Sequence, residues 1–195
     1  ITDVLENKIA TSSSRTKAYI EFYNHISTLQ FGEDYLKVNG FTNSFICLVH
    51  RLILLNAIET PKFTVGKYKQ KDNRIVNSFG KIVFEPPSYL ETKKYMDELI
   101  RYMNNKNDGL NPLIKAAIVH AQFEFIHPFE EGNGRVGRVL ISLYFYRAGL
   151  IHLPYFYLSE AIGQDKTIYY NKLDSSRKNS YDEWISYFLK KVIVQ

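Results

Sequence analysis

The stretch His127-Pro128-Phe129-Glu130-Glu131-Gly132-Asn133-Gly134-Arg135-Val136-Gly137-Arg138 breaks several local preferences at once. Glycine inside a helix costs roughly 1 kcal/mol, yet Gly132, Gly134 and Gly137 cluster where a helix begins. Arg135 and Arg138 also put positive charge at the end where the helix dipole is already positive. A bound anion compensates for both: first-turn amides point at it, glycine lets a phosphate approach the backbone, and two guanidiniums neutralise it. The flanks supply the remaining parts. His127 is of the type best suited to accept a proton near neutral pH. Glu131 stands where a carboxylate can hold Mg²⁺ against phosphate oxygens, and Asn133 can donate to a phosphate from between two glycines. Together these groups suit transfer from a nucleoside triphosphate to a hydroxyl. Singly they read more plainly, as a structural histidine, a turn and a solvated arginine pair. No Gly-Lys-Ser/Thr follows the glycines and no strand precedes them, which excludes a Walker loop and a dinucleotide fingerprint.

Two helices must hold this turn. Asn111-Pro112 is a helix start, a capping side chain followed by proline, and Leu113 to Phe125 is apolar around most of its circumference, as in a core helix. A second helix runs from about Gly134 to Ala148 and closes at Gly149. Upstream, Lys17 to Gln30 has amphipathic spacing and Phe45 to Leu55 reads as a buried helix. The β-branched runs Arg74–Asn77 and Lys81–Phe84 flank a glycine turn and predict a hairpin, stopped by Pro86-Pro87. Ser88 caps a helix from Tyr89 to Met103, and three more are predicted over Tyr155–Ile162, Lys166–Leu173 and Tyr181–Val194. The expected fold class is all-α with one small β-hairpin.

The chain has 195 residues, 45% of them hydrophobic, enough for one core, which argues against disorder, collagen and coiled coil. Its single cysteine, Cys47, excludes an internal disulfide framework and points to a reducing, cytoplasmic setting. The longest apolar runs are too short to cross a bilayer, so no membrane association is expected. A net charge of +5 is scattered rather than blocked, without a nucleic-acid-binding motif, so nucleic acid is not the expected partner. The chain begins at Ile1 and reads as a fragment of a longer protein, with Ser12-Ser13-Ser14 as a hinge between a leading segment, residues 1–14, and a catalytic domain, residues 15–195.

The stretch from His127 to Arg138 resembles the Fic motif, His-Pro-Phe-x-Asp/Glu-Gly-Asn-Gly-Arg-x-x-Arg, at every fixed position. The likeness extends through Ile114–Ala117, His120–Glu124, Ala148-Gly149-Leu150, Tyr169-Tyr170, Leu173 and Trp184, and takes in the hairpin as the family's flap, preceded by Gly66–Lys69. The resemblance implies AMP transfer from ATP to a Ser, Thr or Tyr hydroxyl of a target protein. His127 would be the base, Glu131 the Mg²⁺ ligand, and Gly132, Asn133, Gly134, Arg135 and Arg138 the phosphate contacts, Arg138 at the γ-phosphate. Lys81, Ile82, Val83 and Phe84 would dock an extended target segment. Tyr169, Tyr170 and Arg177 would line the adenine pocket, with core packing the other role open to the tyrosines. Thr2-Asp3-Val4-Leu5-Glu6-Asn7 resembles the inhibitory pattern Ser/Thr-x-x-x-Glu-Gly/Asn of many members, with Thr2 and Glu6 at its fixed positions. Alternatives from the same reading are transfer of another phosphate-containing group, removal of AMP, or a non-catalytic adaptor, and a homodimer is left open.

Overall fold

In the computed structural model of the chain, which describes residues 14–57, 63–76, 79–156, 166–178 and 180–194, the elements run α1 (Ser14–Val38), α2 (Asn43–Ile53), β1 (Ile75–Val76), β2 (Ile82–Phe84), α3 (Tyr89–Asn104), α4 (Pro112–Ile126), α5 (Asn133–Arg147), α6 (Lys166–Arg177) and α7 (Tyr181–Ile193). The mostly helical class with one hairpin is therefore as expected. The centre is α4, which starts where its sequence says. Asn111 accepts from the Leu113 amide at 2.9 Å and Pro112 takes the first turn, where no N–H is needed. Ala116, Ala117, Val119, Ala121, Phe123 and Ile126 are all buried. From α7, the indole of the fully buried Trp184 donates to the Ala117 carbonyl at 2.8 Å.

Against α4 packs α5, whose middle is buried from Val139 to Phe145. It ends in a Schellman cap: Leu150 donates to the Phe145 carbonyl and Gly149, at φ +73°, to that of Tyr146, both at 3.0 Å. The first helix is longer than its apolar spacing suggested, running past Gln30 to Val38. Gly32 belongs inside it for packing. A Cβ there would sit 2.5 Å from a Leu143 methyl, so α1 reaches α5 only because that side chain is absent. Thr42 caps α2 through the Phe45 amide at 3.1 Å. Asn104 bonds both backbone groups of Phe41, at 2.9 and 2.8 Å, and ties the end of α3 to the start of α2.

The hairpin pairs Ile75 with Phe84 and Val76 with Ile82 in antiparallel register, with an irregularity between Ile75 and Val76. Gly80, at φ +74°, serves its turn. The helix expected from Tyr155 does not begin there, since Tyr155 and Phe156 have irregular backbone. Phe156 instead packs edge-on to Phe145 at 5.1 Å and its carbonyl accepts from Ser142, contacts that hold it to α5; residues 157–162 of that expectation lie outside the described residues. Among the described residues, no helix is long and apolar enough to cross a membrane.

Candidate active site

The turn between α4 and α5 is held by side chains distant in sequence. His127 ends α4 in the left-handed region, φ 48° and ψ 60°, donating its amide to the Phe123 carbonyl at 2.9 Å. That conformation costs a non-glycine residue roughly 1–2 kcal/mol, and a residue before proline ordinarily lies in extended backbone. The surroundings enforce it. Phe129 is fully buried, with its ring stacked on the His50 imidazole at 3.8 Å and parallel. Lys69, also buried, donates from Nζ to the carbonyls of Ile126 (3.3 Å) and Pro87 (2.8 Å) and to Asn73 Oδ1 (2.9 Å), while its amide donates to the Pro128 carbonyl at 2.8 Å. Asn73 in turn donates to the carbonyls of His127 (3.3 Å) and Phe129 (2.9 Å). The carbonyls of residues 126 to 129 thus all have partners, as buried backbone requires. Burial lowers the Lys69 ammonium to about 8.

Asn133, read from sequence as a phosphate donor, completes this bracing. Its Oδ1 accepts from the Phe129 amide at 2.9 Å and its Nδ2 donates to the Phe129 carbonyl at 2.7 Å. The side chain is buried and faces the turn, because a loop that buries Phe129 must pair both backbone groups of that residue. His50 closes the other side. The Gly66 amide donates to its Nδ1 at 2.9 Å, so the ring proton belongs on Nε2, which donates to the Glu131 carbonyl at 3.0 Å. Burial lowers this imidazole to about 4 and keeps it neutral.

At the start of α5, Gly132 takes the N-cap position at φ 82° with no side-chain cap. A Cβ there would also press on Leu54 at 3.2 Å, so both backbone and space select glycine. The uncapped first turn carries the positive end of the dipole. Arg135 lies beside it, 3.2 Å from Glu21 of α1 and 3.8 Å from the exposed Glu131. Arg138 folds back over the same turn: a Cβ on Gly134 would be 3.2 Å from its Nη1. Among the described residues, no carboxylate lies within 4.0 Å of the Arg138 guanidinium. The uncapped amides and the two guanidiniums gather positive charge at one mouth, which would suit an anion.

The candidate base is His127. The half-buried imidazole is lowered to about 4, by burial first and then by the Lys69 charge, so it is neutral at pH 7. One turn back on α4, Glu124 is buried, with Oε2 3.8 Å from His127 Nδ1. Burial raises its carboxyl to about 7, against the opposing pull of Arg138 and Arg177. The role of Gly137 differs from that of the other two glycines: it faces Glu124 and His120 in α4 rather than the helix mouth.

Beside the turn stands the hairpin. Ile82 and Val83 are exposed, while Phe84 packs on Phe125 at 5.6 Å and under the Arg177 guanidinium at 3.6 Å. Lys81 precedes them in the hairpin turn. Of the residues that the resemblance puts at the adenine, Tyr169 goes into the core, its hydroxyl 2.8 Å from His120 Nε2 and its ring against Trp184, because α6 must bury an aromatic against α4 and α7. Tyr170 is exposed. Thr2 and Glu6 lie outside the described residues. Sequence reasoning assigned no part to Asn73 or His50 and took Lys69 only as part of a family segment; nothing in their local spacing marks them.

Several proteins are similar to this chain. A probable protein adenylyltransferase of Aquifex aeolicus is 34% identical over 96 residues, 48% of this chain and 28% of that protein. A protein adenylyltransferase Fic of Nematostella vectensis is 26% identical over 149 residues, 75% of this chain and 33% of that protein. The chain thus spans a third or less of these curated relatives. Among solved structures, a Fic domain containing signaling protein from Bacteroides thetaiotaomicron superposes with a TM-score of 0.75 at 26% identity, over 94% of this chain and 73% of that one. A Fic family protein from Desulfovibrio desulfuricans superposes with a TM-score of 0.77 over 98% of this chain and 55% of that one; at 23% identity it speaks for the fold alone. The Fic/DOC family profile matches residues 40–145, more than half of the sequence and inclusive of the whole turn from His127 to Arg138, and the chain belongs to that family.

Proposed function

We propose that this domain transfers AMP from ATP to a hydroxyl of a target protein. The observation that carries the reading is the juxtaposition of a half-buried, neutral His127 with the uncapped start of α5, flanked by Arg135 and Arg138. The triphosphate lies along the mouth of α5, its α- and β-phosphates on the amides around Gly132 and Gly134 and its γ-phosphate toward Arg138. His127 takes the proton of the incoming hydroxyl as that oxygen attacks the α-phosphorus, the bond to the bridging oxygen breaks, and pyrophosphate leaves. Glu131 is exposed beside the mouth, where a carboxylate could share an ion with phosphate oxygens. Mg²⁺ bound there would neutralise charge on the phosphates. Phosphate contacts come from backbone and guanidinium groups, because the Asn133 amide is engaged with the turn. The open edge of β2 offers backbone groups to an extended target segment.

Purified chain incubated with Mg²⁺, candidate targets and ATP labelled at the α-phosphate tests this reading. Label should enter protein with wild type, vanish with His127→Ala and fall with Arg138→Ala; label retained by His127→Ala overturns the assigned base. Autoinhibition by the segment carrying Thr2 and Glu6 belongs to the same proposal. It predicts that Glu6→Gly raises labelling, and equal labelling removes the segment from the account.

A further inference from the structure

An imidazole has one proton to place between two nitrogens, and a general base must have the nitrogen facing substrate bare. In His127, Nδ1 is buried and makes no hydrogen bond of good geometry, with the Glu124 main-chain carbonyl as its nearest backbone acceptor. Glu124 Oε1, one turn earlier on α4, and His120 Nδ1 are likewise buried without hydrogen-bond partners, and the other oxygen of the Glu124 carboxyl is 3.8 Å from His127 Nδ1. The carboxyl fits only because α5 has no side chain at Gly137, where a Cβ would be 2.6 Å from Oε1 and 3.1 Å from His120 Cε1. A buried carboxyl with one oxygen unpaired at Gly137, next to His120, and the other turned toward an imidazole nitrogen 3.8 Å away is an arrangement that packing alone does not require.

We propose that Glu124 is the positioning residue for His127: its carboxylate accepts the Nδ1 proton, which fixes the ring tautomer and leaves Nε2 bare to receive the proton of the incoming hydroxyl. The inference rests on the AMP-transfer reading for what the base does, and on the contact between Glu124 and His127 for the pairing. The contact shortens when substrate fills the site, as catalytic hydrogen bonds commonly do. Ionisation of Glu124 decides the direction. As a carboxylate it can only accept, which requires the proton on Nδ1; as an acid it donates to Nδ1, which moves the ring proton to Nε2 and removes the base. The groups around the pair are Arg138 and Gly137 on α5, Arg177 and Tyr169 on α6, His120 on α4 itself, and Lys69 from the segment before the hairpin. Burial raises the Glu124 carboxyl to about 7 and lowers His127 to about 4, so the switch falls in the working range of the enzyme while the imidazole stays uncharged.

The test is nitrogen-15 NMR of the histidine rings in the full chain without nucleotide, wild type against Glu124→Gln, across roughly pH 5 to 9. Wild-type His127 should carry its proton on Nδ1 above about pH 7 and shift toward Nε2 below it, following Glu124 rather than its own titration. In Glu124→Gln the amide oxygen is drawn to Arg138 and Arg177, the NH₂ turns to Nδ1, and the Nε2–H tautomer should hold at every pH. Gly137→Ala, which displaces the carboxyl without altering it, should give the same change where Glu124→Gln does not fold. Kinetically, Glu124→Gln should lower kcat about ten- to hundredfold with KM for ATP within about twofold. The acid limb near pH 7 should disappear from what activity remains. An identical His127 tautomer and titration in the two proteins overturns the pairing, as does a changed KM at constant kcat. Absence of AMP transfer from wild type with the NMR coupling present overturns the reaction instead, so the two failures are distinct.

Discussion

Replacing Gly137 by alanine adds one methyl group at the closest approach of α5 to α4, and the structure says what it meets. The new carbon would lie 2.6 Å from Glu124 Oε1, 3.1 Å from His120 Cε1 and 3.3 Å from His120 Nδ1. In an open helix the exchange would stabilise by about 1 kcal/mol, because glycine loses more backbone freedom on folding. Here the methyl is overpacked against side chains that are themselves buried, which typically costs about 1–3 kcal/mol. The net expectation is a loss of about 0–2 kcal/mol, and for a chain of this size each kcal/mol shifts Tm by about 2–4 °C. The sign of the small stability change matters less than its company: the carboxyl must leave its place beside His127, so AMP transfer should fall at least about tenfold while the fold persists. Differential scanning calorimetry on the variant, with labelling from α-labelled ATP in parallel, measures both. A Tm raised by about 2–4 °C with transfer unchanged would refute the reasoning, since the methyl would then have entered open space.

Acid should destabilise the protein well before its carboxylates protonate. His25, His50 and His127 are lowered to about 4 and His120 to about 3. Between about pH 6.5 and 4 the unfolded chain therefore binds protons that the folded chain refuses, and stability drops as pH falls, by about 3 kcal/mol for His50 alone at the lower end. Glu124 opposes this, being protonated in the fold up to about 7, but it is one group against four histidines. The urea midpoint should be lower at pH 5 than at pH 7.5, and an equal or higher midpoint would contradict the burial of these rings. Asn133→Ala should cost about 1–3 kcal/mol, because it orphans the buried amide of Phe129; a chemical denaturation curve superposing on wild type would show that the amide has another partner.

The candidate site was legible because it is contiguous. Base, carboxylate, glycines and arginines fall within one turn and one helix start, where each departure from local preference shows in the string itself. Helices α4 and α5 were legible for a related reason, since a core helix needs apolar residues on most sides and cannot hide them. What braces the turn was not legible. Lys69 reaches the Ile126 carbonyl across 57 positions, Asn73 reaches that of His127 across 54, and His50 reaches that of Glu131 across 81. No spacing rule joins such partners, and a lysine or asparagine in a loop looks solvated until the fold encloses it. The extension of α1 past Gln30 escaped because Gly32 weakens the local signal, and its purpose is visible only with Leu143 beside it. Asn133 was placed at the phosphates by sequence, whereas both polar ends of its side chain bond Phe129, because the start of α5 also serves the packing of the turn.

The central claim is that this fold moves the α-phosphate and its nucleoside, not the γ-phosphoryl group, onto protein. Parallel incubations of the wild-type chain and His127→Ala with Mg²⁺, a target lysate and ATP labelled at either the α- or the γ-phosphate test it most directly. The account predicts label on wild-type reactions from the α-position only, and none from either position with His127→Ala. Protein label from the γ-position, or α-label undiminished without His127, would contradict it.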